Sequence, residues 1–225
     1  MKLKTIIVAS LSTAVVAGTA QSCVALATTG VGLAVLKQIL LGGISRGISV
    51  LGNKQAFLQN DLIDMALPKA LREINQILEP IAPSLVENER DYIAQAAVYT
   101  VKIAEPILID AVNSLTAQDV MRVSQGGKGA ATALLKEKTA SQLMLAIQPK
   151  VDEKLNEFGI VRSLNLALQG NQLLGGILGE SNQNYNLASG GLSRLASEQM
   201  VDGLFNIIES YEKQNSIQLL EALQK

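Results

Sequence analysis

The sequence predicts an all-α protein, a single multi-helix domain that follows an N-terminal export signal. Three observations predict this. Apolar residues recur at spacings of three and four along most of the chain. No stretch alternates apolar and polar residues for long enough to make a strand. Residues that start and stop helices punctuate the apolar stripes.

The first element is the export signal. Lys2 and Lys4 form a positive n-region, Ile6 to Ala17 an apolar h-region, and Gly18, Thr19 and Ala20 lead into Gln21-Ser22-Cys23. Ala20-Gln21-Ser22-Cys23 reads as a lipobox whose thiol takes the lipid, although Leu is usual at the Ala20 position and Gln21 is atypical. On that reading residues 1–22 are removed, and residues 23–225 form the helical domain. Ala25-Leu26-Ala27 offers a second cleavage site, which would leave a soluble chain starting at Thr28. A third reading keeps an uncleaved anchor, because Thr5 to Leu36 carries no charge and can span ~30 Å of hydrocarbon. Lipidation is the favoured expectation, since Cys23 is the chain's one cysteine and stands just past the h-region.

The elements of the domain follow in order. Leu33 to Leu51 is apolar with Gly42, Gly43 and Gly47 inside it, which weakens a helix unless another backbone packs close by. Asn53-Lys54-Gln55 reads as a turn. Pro68 suits the first turn of a helix to Leu78, with Leu71, Ile74, Ile77 and Leu78 on one face. Pro80 and Pro83 end it. Ser84, with Glu87 three residues on, is the expected cap of a long helix bearing Ile93, Ala97, Val101, Ala104 and Leu108, and Pro106 should kink or divide it. Glu87-Asn88-Glu89-Arg90-Asp91 reads as its solvated start.

Thr116-Ala117-Gln118-Asp119 is a second capping box, opening a short helix that stops near Gln125. Gly126-Gly127-Lys128-Gly129 is a loop, and Ala130 to Ile147 the next helix, closed by Pro149. Lys136-Glu137-Lys138 reads as an exposed face. Phe158-Gly159 marks another helix end, and Gly170 to Asn186 is the least structured stretch. Leu192, Leu195, Val201, Leu204, Phe205, Ile208 and Tyr211 mark a final long amphipathic helix.

Composition excludes several kinds of chemistry. There is no histidine, so the commonest general base and the commonest transition-metal ligand are both missing. With Cys23 committed to the signal, thiolate catalysis and Cys/His zinc sites go too. Neither a metal nor a cofactor is expected. Nineteen basic residues against twenty acidic ones leave no basic face for nucleic acid, and the sparse aromatics give no stacking platform.

Several stretches together resemble the bacterial family called domain of unknown function 4197. They are Ala56-Phe57-Leu58-Gln59-Asn60, Leu67-Pro68, Asp110 to Asp119, Ala130-Ala131-Thr132, Thr139, Gln148-Pro149 and Val201-Asp202-Gly203-Leu204-Phe205. Their order and spacing agree from about Leu36 to Lys213. The resemblance implies an exported, mostly helical protein, often with a signal peptide or lipobox, and implies no activity. Ala56 stands where the family has Gly, and Met200-Val201 where it has Ala-Leu. Ser216 to Leu220 replaces its basic tail.

Two places could carry chemistry. Gly126 to Thr132 could present backbone N–H groups to an anion, with Lys128 adding charge and Thr132 a hydroxyl. It is not a Walker A loop, because Gly129 follows Lys128. Asp202-Gly203 sits inside a helix although both residues oppose helix, Gly by ~1 kcal/mol. Close packing at Gly203 and a specific partner for Asp202 would account for them. Were Asp202 to meet Asp110 or Asp119, a two-carboxylate site would result. The expected protein is a non-catalytic, periplasm-facing lipoprotein held to the outer membrane through acylated Cys23, with a binding or structural role. A soluble periplasmic location is the alternative. The competing functions are a carboxylate-based enzyme and a carrier of an apolar ligand in a cavity of roughly 300 Å3 or more. No catalytic residue is assigned, and the protein partner or small ligand is open.

Overall fold

Helix α1, Gly30–Leu51, forms the centre of the molecule, and its glycines are the reason it can. The computed structural model describes residues 30–168 and 191–224. After α1 come two short helices, α2 (Lys54–Leu58) and α3 (Asp61–Met65), then α4 (Lys69–Leu78) and the long α5 (Pro83–Asn113). Then follow α6 (Ala117–Gly126), α7 (Ala130–Glu157), a helical segment α8 over 160–168, and α9 (Gly191–Gln224). The described residues contain no strand. The all-α expectation holds. The signal, Cys23 and Gly170 to Asn186 lie outside the described residues.

Four long helices make the core: α1 packs most extensively on α9, α5 on α7, and α7 on α9. On α1, Leu36, Leu40, Gly43 and Gly47 share the buried stripe. A Cβ added at Gly43 would stand 3.0 Å from Ile208 Cγ2, 3.2 Å from Ile208 Cα and 3.3 Å from its carbonyl oxygen. Only glycine lets the two backbones approach that closely. The same device recurs at Gly203, where an added Cβ would stand 3.3 Å from Ile63 Cα in α3. Both close approaches are those the sequence required.

Polar side chains satisfy the ends that short or interrupted helices leave open. Asn53 caps α2 by accepting from the Ala56 N–H at 2.9 Å, and Asn60 caps α3 by accepting from Leu62 at 3.0 Å. Lys54 and Gln55 are therefore read differently from the expected turn: Lys54 opens α2, and the turn falls at Gly52-Asn53. Two carbonyls of α3 accept from α9, Leu62 from Asn206 Nδ2 at 3.1 Å and Ile63 from Gln199 Nε2 at 3.4 Å. Lys37 of α1 donates to the Asn113 carbonyl at the end of α5 at 2.7 Å.

Three boundaries differ from expectation. Helix α5 starts at Pro83, with Ala82 rather than Ser84 as its cap and no side-chain cap bond. Proline has its φ preset for the first helical position, which draws Ser84 into the first turn. Pro106 neither divides nor ends α5, because Ala104, Leu108 and Val112 continue the buried stripe across it. Pro149 likewise lies inside α7, where Ile147, Val151 and Leu155 stay buried on one face. Burial there outweighs the ~3 kcal/mol that an interior proline costs.

Candidate functional site

The loop Gly127 to Gly129 turns through two left-handed residues, Gly127 (φ 76°) and Gly129 (φ 88°), and delivers the chain into α7. A first helical turn leaves its amide N–H groups without intrahelical acceptors and carries a partial positive charge. These amides do converge on an anion, and the anion belongs to the chain itself. Glu212 of α9, about eighty residues on, is buried with its carboxylate at the α7 N-terminus. Its Oε1 accepts from the Gly129 and Ala131 N–H groups, each at 3.1 Å. Its Oε2 accepts from the Thr132 N–H at 2.7 Å and the Thr132 hydroxyl at 2.6 Å. The Ala130 N–H, the other amide of the turn, donates to the Gly127 carbonyl at 3.2 Å.

Every donor of the turn is thus used. The loop does more than connect two helices: it holds an anion, and that anion is internal. Thr132 is a ligand of that anion, whereas Lys128 stands exposed on the loop. Gly129 is fixed by its left-handed φ of 88°, a conformation that side-chain-bearing residues rarely adopt.

The three aspartates do not form one site. Asp119 closes its capping box, accepting from the Thr116 N–H at 2.9 Å and the Thr116 hydroxyl at 3.1 Å, and it also pairs with Lys138 at 3.2 Å. Burial alone would raise the Asp119 carboxyl. The Thr116 N–H, Lys138 and the Thr116 hydroxyl outweigh that and hold it below its ordinary value. Asp202 pairs with Lys136 at 2.8 Å, both side chains about half exposed. Lys136 and Lys138 are two residues apart on α7, about 200° around its axis, so their partners lie on opposite sides of that helix. Asp110 is exposed on α5. Among the described residues, no three side chains of Asp, Glu, His or Cys come close enough to hold a metal ion.

The Lys136-Glu137-Lys138 face is less free than its sequence suggests. Glu137 pairs with Arg122 of α6 at 2.9 Å, so the three residues reach α9, α6 and the α6 cap in turn. A substitution pair separates these roles. Asp119→Ala should lower stability by about 1 kcal/mol, the usual worth of a helix cap. Asp202→Ala should change it by less than about 1 kcal/mol, as expected of an exposed ion pair. Urea midpoints at neutral pH measure both. The Asp119 carboxyl is held low in the fold, so its contribution is present above the ordinary aspartate range and is lost as pH falls through its folded value.

Sequence reasoning missed two buried carboxylates. Glu212 repeats the i, i+4 spacing of Leu204 and Ile208, both buried, so a charge on that stripe needed a partner. Glu89 falls on the stripe of Val86 and Ile93 and is fully buried, which corrects the reading of Glu87 to Asp91 as wholly solvated. The hollows bounded by described residues include open grooves. One of about 430 Å3 lies beside Met144, Leu145 and Val201, and one of about 770 Å3 beside Leu58, Pro83 and Glu87. The hollow at Glu89 measures about 10 Å3, room for one water.

The profile of the family described as "Protein of unknown function (DUF4197)" matches residues 28–217. No curated protein and no solved structure matches the chain.

Proposed function

The chain belongs to the DUF4197 family of proteins of unknown function, and from that premise we propose that it is a non-catalytic protein of the bacterial cell envelope. In this reading residues 1–22 are removed, Cys23 is acylated, and the helical domain faces the periplasm from the outer membrane in a binding or structural role. The observation that carries the non-catalytic part is the separate use of the carboxylates. Asp119 caps α6, Asp202 pairs across to α7, Asp110 is exposed on α5, and Glu212 fills the anion cradle at the start of α7. Asp119, Asp202 and Glu212 each serve the architecture.

The address rests on the n-region, the h-region and Cys23. Helix α1 is long and apolar enough to cross a bilayer, but its apolar stripe packs against α9 within the bundle. In this reading the anchor is lipid on Cys23. Burying ~0.8 kcal/mol per methylene, two or more acyl chains hold a protein stably. Seven residue steps separate Cys23 from Gly30, the first residue of α1. At ~3.6 Å per step, the domain would stay within about 25 Å of its lipid.

Cys23→Ser tests this reading. The unsubstituted chain should sediment with membranes and carry the mass of a diacylglyceryl group and an acyl chain, and the variant should lose both. A variant that still fractionates with membranes and keeps the same added mass would contradict lipidation at Cys23. A mature chain starting at Thr28 would contradict it equally.

A further inference from the structure

Glu89 of α5 has no exposed surface, and the donors around it do not match an ionised carboxylate. One of its oxygens accepts from Asn75 Nδ2 of α4 at 3.2 Å. Its other oxygen, Oε1, has no partner, and neither has Oδ1 of the same Asn75. Two buried acceptors, one on each of these two hydrogen-bonded groups, thus lack a donor. An ionised carboxylate only accepts and can supply neither, whereas a carboxylic acid has one O–H to give. A buried acceptor left unmatched is destabilising, and natural folds almost always provide the missing donor.

We propose that Glu89 is a proton-binding site of this fold. Its protonated carboxyl donates to Asn75 Oδ1 while accepting from Asn75 Nδ2, and this two-bond pair fastens α4 to α5 until the proton leaves. None of the other groups around the hollow supplies the donor, and Arg90 offsets a charge on Glu89 only in part. Asp64 of α3 and Arg90 of α5 pair with each other at 3.0 Å. From α2 the lining residues are Phe57 and Leu58, and from α9 it is Gln199, whose amide is engaged with the Ile63 carbonyl. From α4 the group facing Glu89 is Asn75, which is neutral. Burial pushes the Glu89 carboxyl up from 4.5 to about 7, against smaller opposing effects of the Asn75 hydrogen bond and the Arg90 charge. Loss of the proton leaves a buried charge with one hydrogen bond and a one-water hollow beside it. The same event loosens the helix that buries Leu71, Ile74 and Leu78.

The sign of the linkage follows. The folded chain keeps this proton up to about pH 7, while the unfolded chain releases it near 4.5. The stabilisation is therefore complete below about 4.5, declines as pH rises to about 7, and is absent above. Displacement of the carboxyl from 4.5 to about 7 corresponds to a roughly 300-fold change in the folding equilibrium. Glu89→Gln keeps the shape and an amide able to pair with Asn75, but does not titrate.

Urea unfolding of the full chain from pH 4.5 to 8 should show the variant gaining on the unsubstituted chain by roughly 150-fold across that window, since the unfolded carboxyl is already half ionised at its lower end. Parallel curves for the two proteins would overturn the proposal. Carbon NMR of the glutamate side chains in the unsubstituted chain decides the matter even if the variant fails to fold. One carboxyl, Glu89, should titrate near 7, and a Glu89 resonance titrating below about 5 would overturn the proposal.

Discussion

Glu212→Ala should destabilise the protein by about 4 kcal/mol, and for a chain of this size lower the melting temperature by roughly 10 °C. The variant removes four charge-assisted acceptances at once and leaves the N–H groups of Gly129, Ala131 and Thr132 facing a buried space. It also removes a negative charge from the positive end of α7, a favourable placement in its own right. Two further substitutions resolve the terms. Glu212→Gln keeps the volume but turns an N–H2 toward other donors, so it should lose about half as much. Thr132→Val removes the hydroxyl bond alone and should cost about 1–2 kcal/mol. Thermal and urea unfolding of the three variants provide the check. A Glu212→Ala protein as stable as its parent would show that the bonds contribute nothing.

The second large effect concerns the close approach of α1 and α9 at Gly43. Gly43→Leu should destabilise by about 3 kcal/mol or more, because the new side chain must enter space held by the backbone of Ile208. Leucine is the better helix former, so local propensity pushes the other way by ~1 kcal/mol and a net loss must come from packing. Gly30, the first residue of the same helix, has nothing within 4 Å of an added Cβ. Gly30→Ala should accordingly be neutral or slightly stabilising. Denaturant midpoints for the two variants read the contrast directly, and equal midpoints would mean that α1 and α9 are not in such close contact.

Most of the fold was legible because its signals are local. The Thr116–Asp119 box, the left-handed turn before Ala130 and the stop at Phe158-Gly159 each rest on a few adjacent residues. The glycines of α1 were legible in a stronger sense, since their cost to a helix announced a close neighbour before that neighbour was known. Boundaries at proline were less legible. Pro106 and Pro149 are breakers by local rule, yet each lies on a stripe whose burial continues beyond it, and tertiary packing decides.

The candidate site was half legible. Gly126 to Thr132 has the composition of an anion cradle, and it is one. Its anion could not be read from the loop, because Glu212 lies some eighty residues away in Ser210-Tyr211-Glu212-Lys213-Gln214, a stretch whose composition suggests solvent. The spacing Leu204, Ile208, Glu212 was the available signal. Glu89 carries the same lesson between Val86 and Ile93. In each case a charged residue at an apolar register position marked a buried partner, and composition alone concealed it.

The central claim is that the anion cradle at the start of α7 is filled by the protein's own Glu212, leaving this domain without a vacant anion site there. Amide hydrogen exchange at Gly129, Ala131 and Thr132, followed with and without inorganic phosphate, tests it most directly. The account predicts protection comparable to that of the buried α7 amides around Leu135, with no change in these resonances on adding phosphate. Exchange at the rate of exposed loop amides, together with saturable shifts caused by phosphate, would contradict it.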